Sequence, residues 1–222
     1  MLVAGVLSIT AQNVRATSNI NDGFNINRKN TNGHQFLLDD WVIGYMVDNN
    51  GNLSEKKLLN YDIYNYNPTY KLGQNQKDIL VIDRNLFSGF VLTDAENRQY
   101  IFSKINGDQF EDSKKEDVFY QLINAPKKNI ILESTKKLKD PNASGWSSSR
   151  DNTLSAKFVL KTTAYVLDKN NKYVKVKFSS SSIANAFSDK KKEIKDFIKK
   201  QKLKIDDEYD LIPIVDYYYS LK

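Results

Sequence analysis

The chain has 222 residues, of which 40% are hydrophobic, 27% are charged and 12% are aromatic. This balance fits one folded domain with an appendage, and it excludes a multispan membrane protein, a wholly disordered chain and a collagen-like chain. With no cysteine and a single histidine, the sequence also excludes disulfides, thiolate catalysis and zinc fingers. We therefore expect neither a metal site nor a cofactor.

The net charge is +6 at pH 7, and the lysines are unevenly spread. Lys127–Lys139 holds five lysines and one acid, and Lys157–Lys177 holds six lysines and one acid. Arginine is scarce beyond residue 28, although proteins that recognise nucleic acids rely on its bidentate hydrogen bonds. The pattern favours a solvated lysine surface and no specific nucleic-acid partner. A lysine-rich face that binds acidic polymers or anionic lipid is an alternative.

The first residues differ in character from the rest of the chain. Residues 1–12 are apolar and uncharged, as in the core of a secretory signal peptide, and too few to span a bilayer. They predict export to the periplasm or the cell exterior, with a cut between Ala11 and Gln12; a buried first strand of a cytosolic protein is the alternative. Residues 13–36 are rich in asparagine and predict a flexible leader, with His34 at its edge.

Residues 37–178 have the pattern of an antiparallel β domain. Two pairs of β-prone runs joined by short polar loops predict hairpins, Leu86–Thr93 with Arg98–Phe102 and Leu154–Leu167 with Tyr173–Phe178. Further strands are predicted over Trp41–Val47, Leu58–Tyr64, Ile79–Ile82 and Asn129–Ser134.

Helical signals lie in two regions. Ser113 and Glu116 have the spacing of a capping box, and the apolar residues after them predict a short helix that ends near Pro126. Beyond residue 178 the apolar residues recur with a helical period, so 179–222 is predicted to form two helices packed on the sheet, with Ser188 and Asp210 as their N-caps. The predicted fold class is α+β: an antiparallel sheet, open or barrel-like, followed by two C-terminal helices.

This order of elements resembles an uncharacterised exported β-rich family of Gram-negative bacteria. The residues that carry the resemblance are Tyr61–Tyr64, Phe90–Asp94, Tyr100–Phe102, Phe119–Leu122, Tyr173–Phe178, Asp189–Lys199 and Tyr217–Leu221. The family has no assigned activity. The resemblance therefore implies export and this architecture, and it assigns no site residue.

Catalytic groups are few. His34 lies in the leader, where nothing fixes its geometry, and no nucleophile elbow or glycine-rich phosphate loop is present. Candidate carboxylates for a hydrolase are Asp39, Asp40, Asp62 and Asp94. Asp62, which lies between tyrosines in a predicted strand, is the best single candidate, although a structural role is favoured for it. An enzyme is therefore the less favoured hypothesis.

Aromatic residues carry the binding hypothesis. Tyr64, Tyr66 and Tyr70 cluster around a proline, and Trp146 lies near Arg150 in a serine-rich loop where no core is expected. Exposed tyrosine and tryptophan offer a rigid contact area with a polar tip, which suits a glycan or protein partner. We therefore predict an exported, non-enzymatic protein that binds an envelope protein or glycan; the alternative is that these rings pack in the core.

Overall fold

The computed structural model describes residues 16–19, 31–112, 117–140 and 155–221. These residues form an α+β fold in which one large sheet is followed by three α-helices. The strands are β1 (Ala16–Asn19), β2 (Thr31–Asn32), β3 (Val42–Asp48), β4 (Lys57–Asp62), β5 (Asn67–Lys71), β6 (Leu80–Ile82), β7 (Phe87–Thr93), β8 (Gln99–Ile105), β9 (Val118–Leu122), β10 (Ile130–Lys139), β11 (Ala156–Leu167) and β12 (Tyr173–Val176). The helices are α1 (Ser180–Ala186), α2 (Lys191–Lys200) and α3 (Leu211–Ser220).

The sheet has the strand order β1-β6-β5-β4-β3-β7-β8-β9-β10-β11-β12, and β2 pairs in parallel with the start of β11. All other strand pairs are antiparallel, as predicted. Along the described strands the path stays open, with β1 and β12 at its two ends. The sheet is nevertheless curled. This is shown by the hydrogen bond from the Tyr61 hydroxyl in β4 to the Phe119 carbonyl in β9, at 3.3 Å, since three strands separate β4 from β9 in the sheet.

Three apolar clusters form the core. The first lies between strands β3 to β9 and contains Tyr61 and Phe90. The second lies between β8–β12 and contains Tyr120 and Tyr165. In the third, the helices cover β10, β11 and β12, with Tyr218 of α3 stacked on Phe187 at a ring separation of 4.0 Å. None of the described helices is both long and apolar enough to cross a membrane.

The two predicted hairpins are confirmed. Strands β7 and β8 pair around a turn in which Asp94 accepts from the backbone N–H groups of Glu96 and Arg98. Strands β11 and β12 pair around an equivalent turn formed by Asp168, and Asn171 there adopts a positive φ of 57°. In both turns a short acidic side chain satisfies backbone donors, which is why aspartate is common in such loops.

The predicted helix after residue 113 is wrong where it is described, because Val118–Leu122 is strand β9. All five residues of β9 are buried, and they alternate between two cores. Phe119 contacts the first cluster, whereas Val118, Tyr120 and Leu122 contact the second. A strand covered on both faces has no polar alternation, so periodicity alone does not distinguish it from a buried helix. The proposed capping residues Ser113 and Glu116 lie outside the described residues.

The C-terminal helices are confirmed on the sheet, but three are present where two were predicted. The additional helix is α1, and its N-cap is Ser179, whose hydroxyl accepts from the Ser182 N–H. Ser188 is not the cap of α2: it begins a 3-10 turn, and Lys190 precedes α2 without a side-chain cap. Asp210 does occupy the N-cap position of α3, yet its carboxylate accepts from the backbone N–H groups of the preceding loop instead of the helix.

Two short strands lie within the predicted leader, in the parts of it that the structure describes. Strand β1 pairs with β6, and β2 pairs with β11. His34 is also fixed: its Nδ1 accepts from the Phe36 N–H at 3.2 Å, so the proton lies on Nε2, which donates to Asp39 at 3.0 Å. The predicted signal segment and the cut after Ala11 lie outside the described residues.

Candidate functional site

An open hollow lies where the β4–β5 turn meets the outer half of the β10–β11 hairpin. Its volume is about 570 Å³. We call it the hairpin hollow, and its lining residues are Tyr64, Asn65 and Tyr66 from the turn, Glu133, Thr135, Lys136 and Lys137 from β10, and Lys161 and Thr163 from β11. Two tyrosine rings thus meet hydroxyl, amide and ammonium groups in one concavity.

Asp62 builds the turn that carries the two tyrosines. Its buried carboxylate accepts from the backbone N–H groups of Tyr64 and Asn65 at 3.0 Å, and from the Asn65 side-chain amide at 2.7 Å. Tyr66 completes the reversal with a φ of 58°, in the left-handed region. Burial raises the pKa of Asp62, although these hydrogen bonds oppose the shift. The carboxylate is thus directed at the turn, and Asp62 is not among the residues that line the hollow.

The floor of the hollow follows from the register of the hairpin. Glu133 pairs with Thr163 and Thr135 pairs with Lys161, and cross-strand partners project from the same face of a sheet. The Thr135 hydroxyl also donates to the Lys161 carbonyl at 3.4 Å. Because side chains alternate along a strand, Lys137 projects from this same face.

Lys136 attaches the turn to the edge of β10. Its backbone N–H donates to the Ile63 carbonyl at 3.2 Å, and its ammonium group donates to the Phe36 carbonyl. Burial lowers the pKa of Lys136, and the nearby charge of Asp39 opposes this shift. The backbone bond from Lys136 to Ile63 therefore fixes the β4–β5 turn relative to the β10–β11 strands that form the floor of the hollow.

The hollow is electropositive. The residues that line it include three lysines and one glutamate, which gives a net charge of +2. The carboxylate, Glu133, accepts from the Tyr165 hydroxyl at 2.9 Å. Burial, together with the charge of Glu133, raises the pKa of Tyr165, so this hydroxyl keeps its proton and remains a donor. Tyr165, a member of the second core cluster, thereby positions Glu133 on the same face of the hairpin.

The structure brings together only some of the predicted binding residues. Tyr64 and Tyr66 both line the hollow, and the Tyr64 ring packs edge-to-face on Phe158 with centroids 5.6 Å apart. Tyr70, in contrast, is 6% exposed in the first core cluster and is not available to a surface ligand. Trp146 and Arg150 lie outside the described residues.

Sequence reasoning did not associate Glu133, Thr135, Lys161 and Thr163 with the tyrosines. The alternation of polar side chains along β10 and β11 was visible. However, the register that sets these residues opposite one another, and the approach of the β4–β5 turn, depend on pairing between distant segments.

A second hollow, of about 410 Å³, contains three of the candidate carboxylates, Asp39, Asp40 and Asp94, together with Trp41 and Tyr100. The Asp94 carboxylate is engaged: it accepts from Arg98 Nε at 2.8 Å and from the Tyr100 hydroxyl at 3.2 Å. Desolvation opposes the shift, but the bonds from Arg98 prevail and lower the pKa of Asp94. A carboxylate held ionised in this way is unsuited to act as a general acid.

The lowered pKa of Asp94 predicts how the stability of the fold depends on pH. The folded protein holds this carboxyl ionised to lower pH than the unfolded chain does, so its contacts stabilise the fold above about pH 4 and this contribution is lost as pH falls through the lowered pKa. Asp94→Asn should therefore lower the urea midpoint at pH 7, and the difference from wild type should shrink at pH 3. Glu55→Gln, at an exposed carboxylate outside this network, is the control. A difference that is the same at both pH values would contradict the assignment.

Comparison with known proteins adds no functional information. No protein-family model matches the chain, and neither the curated proteins nor the solved structures contain a match. Within the described parts of the chain, no group of three or more histidine, aspartate or glutamate side chains is placed to hold a metal ion.

Proposed function

We propose that this chain is a non-enzymatic binding protein that holds part of a glycan in the hairpin hollow. The observation that carries the proposal is the convergence of Tyr64 and Tyr66 with hydroxyl and charged side chains around one open concavity. A sugar ring presents apolar C–H faces and hydroxyl edges. Tyrosine offers a rigid apolar face and a polar tip, and a few convergent polar groups give such a site its specificity.

The geometry favours binding over the hydrolase alternative. A glycosidase uses two carboxyl groups on either side of the scissile bond, and one of them has a raised pKa so that it can donate a proton. Among the described residues that line the hairpin hollow, Glu133 is the only carboxylate. In the second hollow Asp94 has a lowered pKa and is occupied by Arg98 and Tyr100. The location outside the cytoplasm, which residues 1–12 indicate, stays a prediction.

Tyr64→Ala tests the proposal. We expect it to weaken binding of the recognised glycan about tenfold, since a ring contact contributes roughly 1 kcal/mol or somewhat more. The measurement is a glycan array of neutral and acidic oligosaccharides, followed by titration calorimetry on the best binder. Tyr64→Phe, which keeps the ring and loses the hydroxyl, should retain most of the affinity.

The matched control is Tyr209→Ala, which removes an exposed tyrosine ring outside the hollow. Thermal midpoints of all variants separate loss of binding from loss of folding, because Tyr64 also contacts Phe158. The proposal is contradicted if no glycan binds, or if Tyr64→Ala and Tyr209→Ala bind equally well while both are folded.

A further inference from the structure

A row of lysines continues from the hairpin hollow along the same face of the β10–β11 hairpin. Lys161 lies opposite Thr135 and Lys139 lies opposite Lys157, whereas Lys137 lies between these two pairs. Lys137, Lys139, Lys157 and Lys161 are all exposed, and we call them the lysine row. They share the face of the hollow because partners in register, and residues two apart in a strand, project to the same side.

The row is a concentration of like charge among the described residues of the hairpin. Lys139 and Lys157 are directly opposite, an arrangement that destabilises a strand pair. On this face, the positions from Thr135 to Lys139 and from Lys157 to Lys161 include no acidic residue. The hairpin makes its core contacts through other residues, such as Ile131 and Tyr165. A solvated lysine contributes little to stability, so a ligand is the simplest source of favourable interactions for this row.

The row also extends beyond the hollow. Each step of two residues along a strand covers roughly 7 Å, so Lys139 lies about 7 Å beyond Lys137, the last residue of β10 that lines the hollow. A ligand confined to the hollow therefore does not reach the Lys139–Lys157 pair, whereas a chain that leaves the hollow along the hairpin contacts it.

We propose that the ligand is an acidic polysaccharide, with one segment in the hairpin hollow and the following carboxylated sugars along the lysine row. This inference rests on the proposed function and names its ligand class. The ammonium groups attract the carboxylates of the chain, and Tyr66, which packs beside Tyr165 on this face, contacts a sugar ring in the hollow.

Two features favour a polysaccharide over a nucleic acid. Glu133 lies in the hollow, and a carboxylate only accepts hydrogen bonds, so it suits the many hydroxyl donors of a sugar ring better than a phosphate backbone, which offers acceptors. In addition, the described lining residues and the lysine row include no arginine, the side chain best suited to bidentate phosphate recognition.

The experiment compares a short and a long acidic glycan. Binding of digalacturonate and polygalacturonate is measured by calorimetry for wild type, for Lys139→Ala/Lys157→Ala, and for the control Lys192→Ala/Lys195→Ala, which removes two exposed lysines of α2. We expect the distal double variant to weaken polygalacturonate about tenfold and to reduce its salt dependence, since fewer counterions are released. Digalacturonate binding should stay within twofold of wild type, and the α2 control should resemble wild type throughout.

The outcomes separate this inference from the proposed function. If Tyr64→Ala weakens binding of a neutral glycan and polygalacturonate does not bind, a glycan site exists and the acidic ligand class is wrong. If the distal double variant and the α2 control bind polygalacturonate equally, the lysine row is not part of the site. Tighter binding of single-stranded DNA than of polygalacturonate, with the same response to the distal lysines, also overturns the inference. Failure to bind any glycan overturns both proposals.

Discussion

Gly44→Ala should destabilise the protein by about 3 kcal/mol, because an added methyl group has no room in this strand. A Cβ at position 44 would lie 2.4 Å from the Val91 carbonyl oxygen and 2.9 Å from Leu59 Cδ1. The leucine can rotate away, whereas the carbonyl belongs to β7, which is held between β3 and β8 by backbone ladders on both sides. Relief therefore requires a shift of the central strands.

The measurement is urea denaturation followed by circular dichroism. Gly73→Ala is the matched control, because a Cβ there meets only Gln76 Cγ at 3.8 Å, and its effect should be within about 0.5 kcal/mol. Equal midpoints for the two variants would show that β3 and β7 are not packed as described.

Tyr61→Ala should have the second large effect, a loss of about 4 kcal/mol of folding free energy. The Tyr61 side chain is 1% exposed and forms the centre of an aromatic group, with ring centroids 5.2 Å from Phe90, 5.4 Å from Phe102 and 6.4 Å from Phe119. Removing it leaves a cavity between β4 and the strands on the other side of the curled sheet.

Tyr61→Phe separates packing from hydrogen bonding. It keeps the ring and removes only the bond to the Phe119 carbonyl, so we expect a loss of about 1 kcal/mol. If the alanine variant does not fold, Tyr61→Leu supplies an intermediate volume that can still be measured. A stability order other than Tyr61, then Phe, then Leu would contradict this account of the first core cluster.

The parts of the fold that were predicted correctly depend on local signals. The β7–β8 and β11–β12 hairpins have aspartate in their turns and β-prone residues on either side, and each pairing joins neighbouring segments. Strand β5 was missed because it contains Pro68 and because Tyr66, not glycine, takes the positive φ in the turn before it. Strand β9 was misassigned because both its faces are buried.

The candidate site shows the same division. Tyr64 and Tyr66 could be proposed from their chemistry, and the lysine-rich segments from composition. Tyr70 could not be separated from them, because only the register of β4 with β5 shows that it projects into the core. The meeting of Tyr64 with Lys161 across about 100 positions of sequence depends on the curl of the sheet and on the Lys136 N–H bond to Ile63, neither of which has a local signature.

Most of the outer half of the β10–β11 hairpin is a two-stranded ribbon, since β9 pairs with β10 only at Ile131 and Leu132 and β2 pairs with β11 only at Ala156 and Lys157. Two-stranded ribbons twist more strongly than wide sheets, so side chains on one face of this half follow a spiral. Successive ammonium groups therefore point in progressively rotated directions. A flexible chain can bend to meet each of them in turn, whereas a stiff rod would touch the first and diverge from the rest.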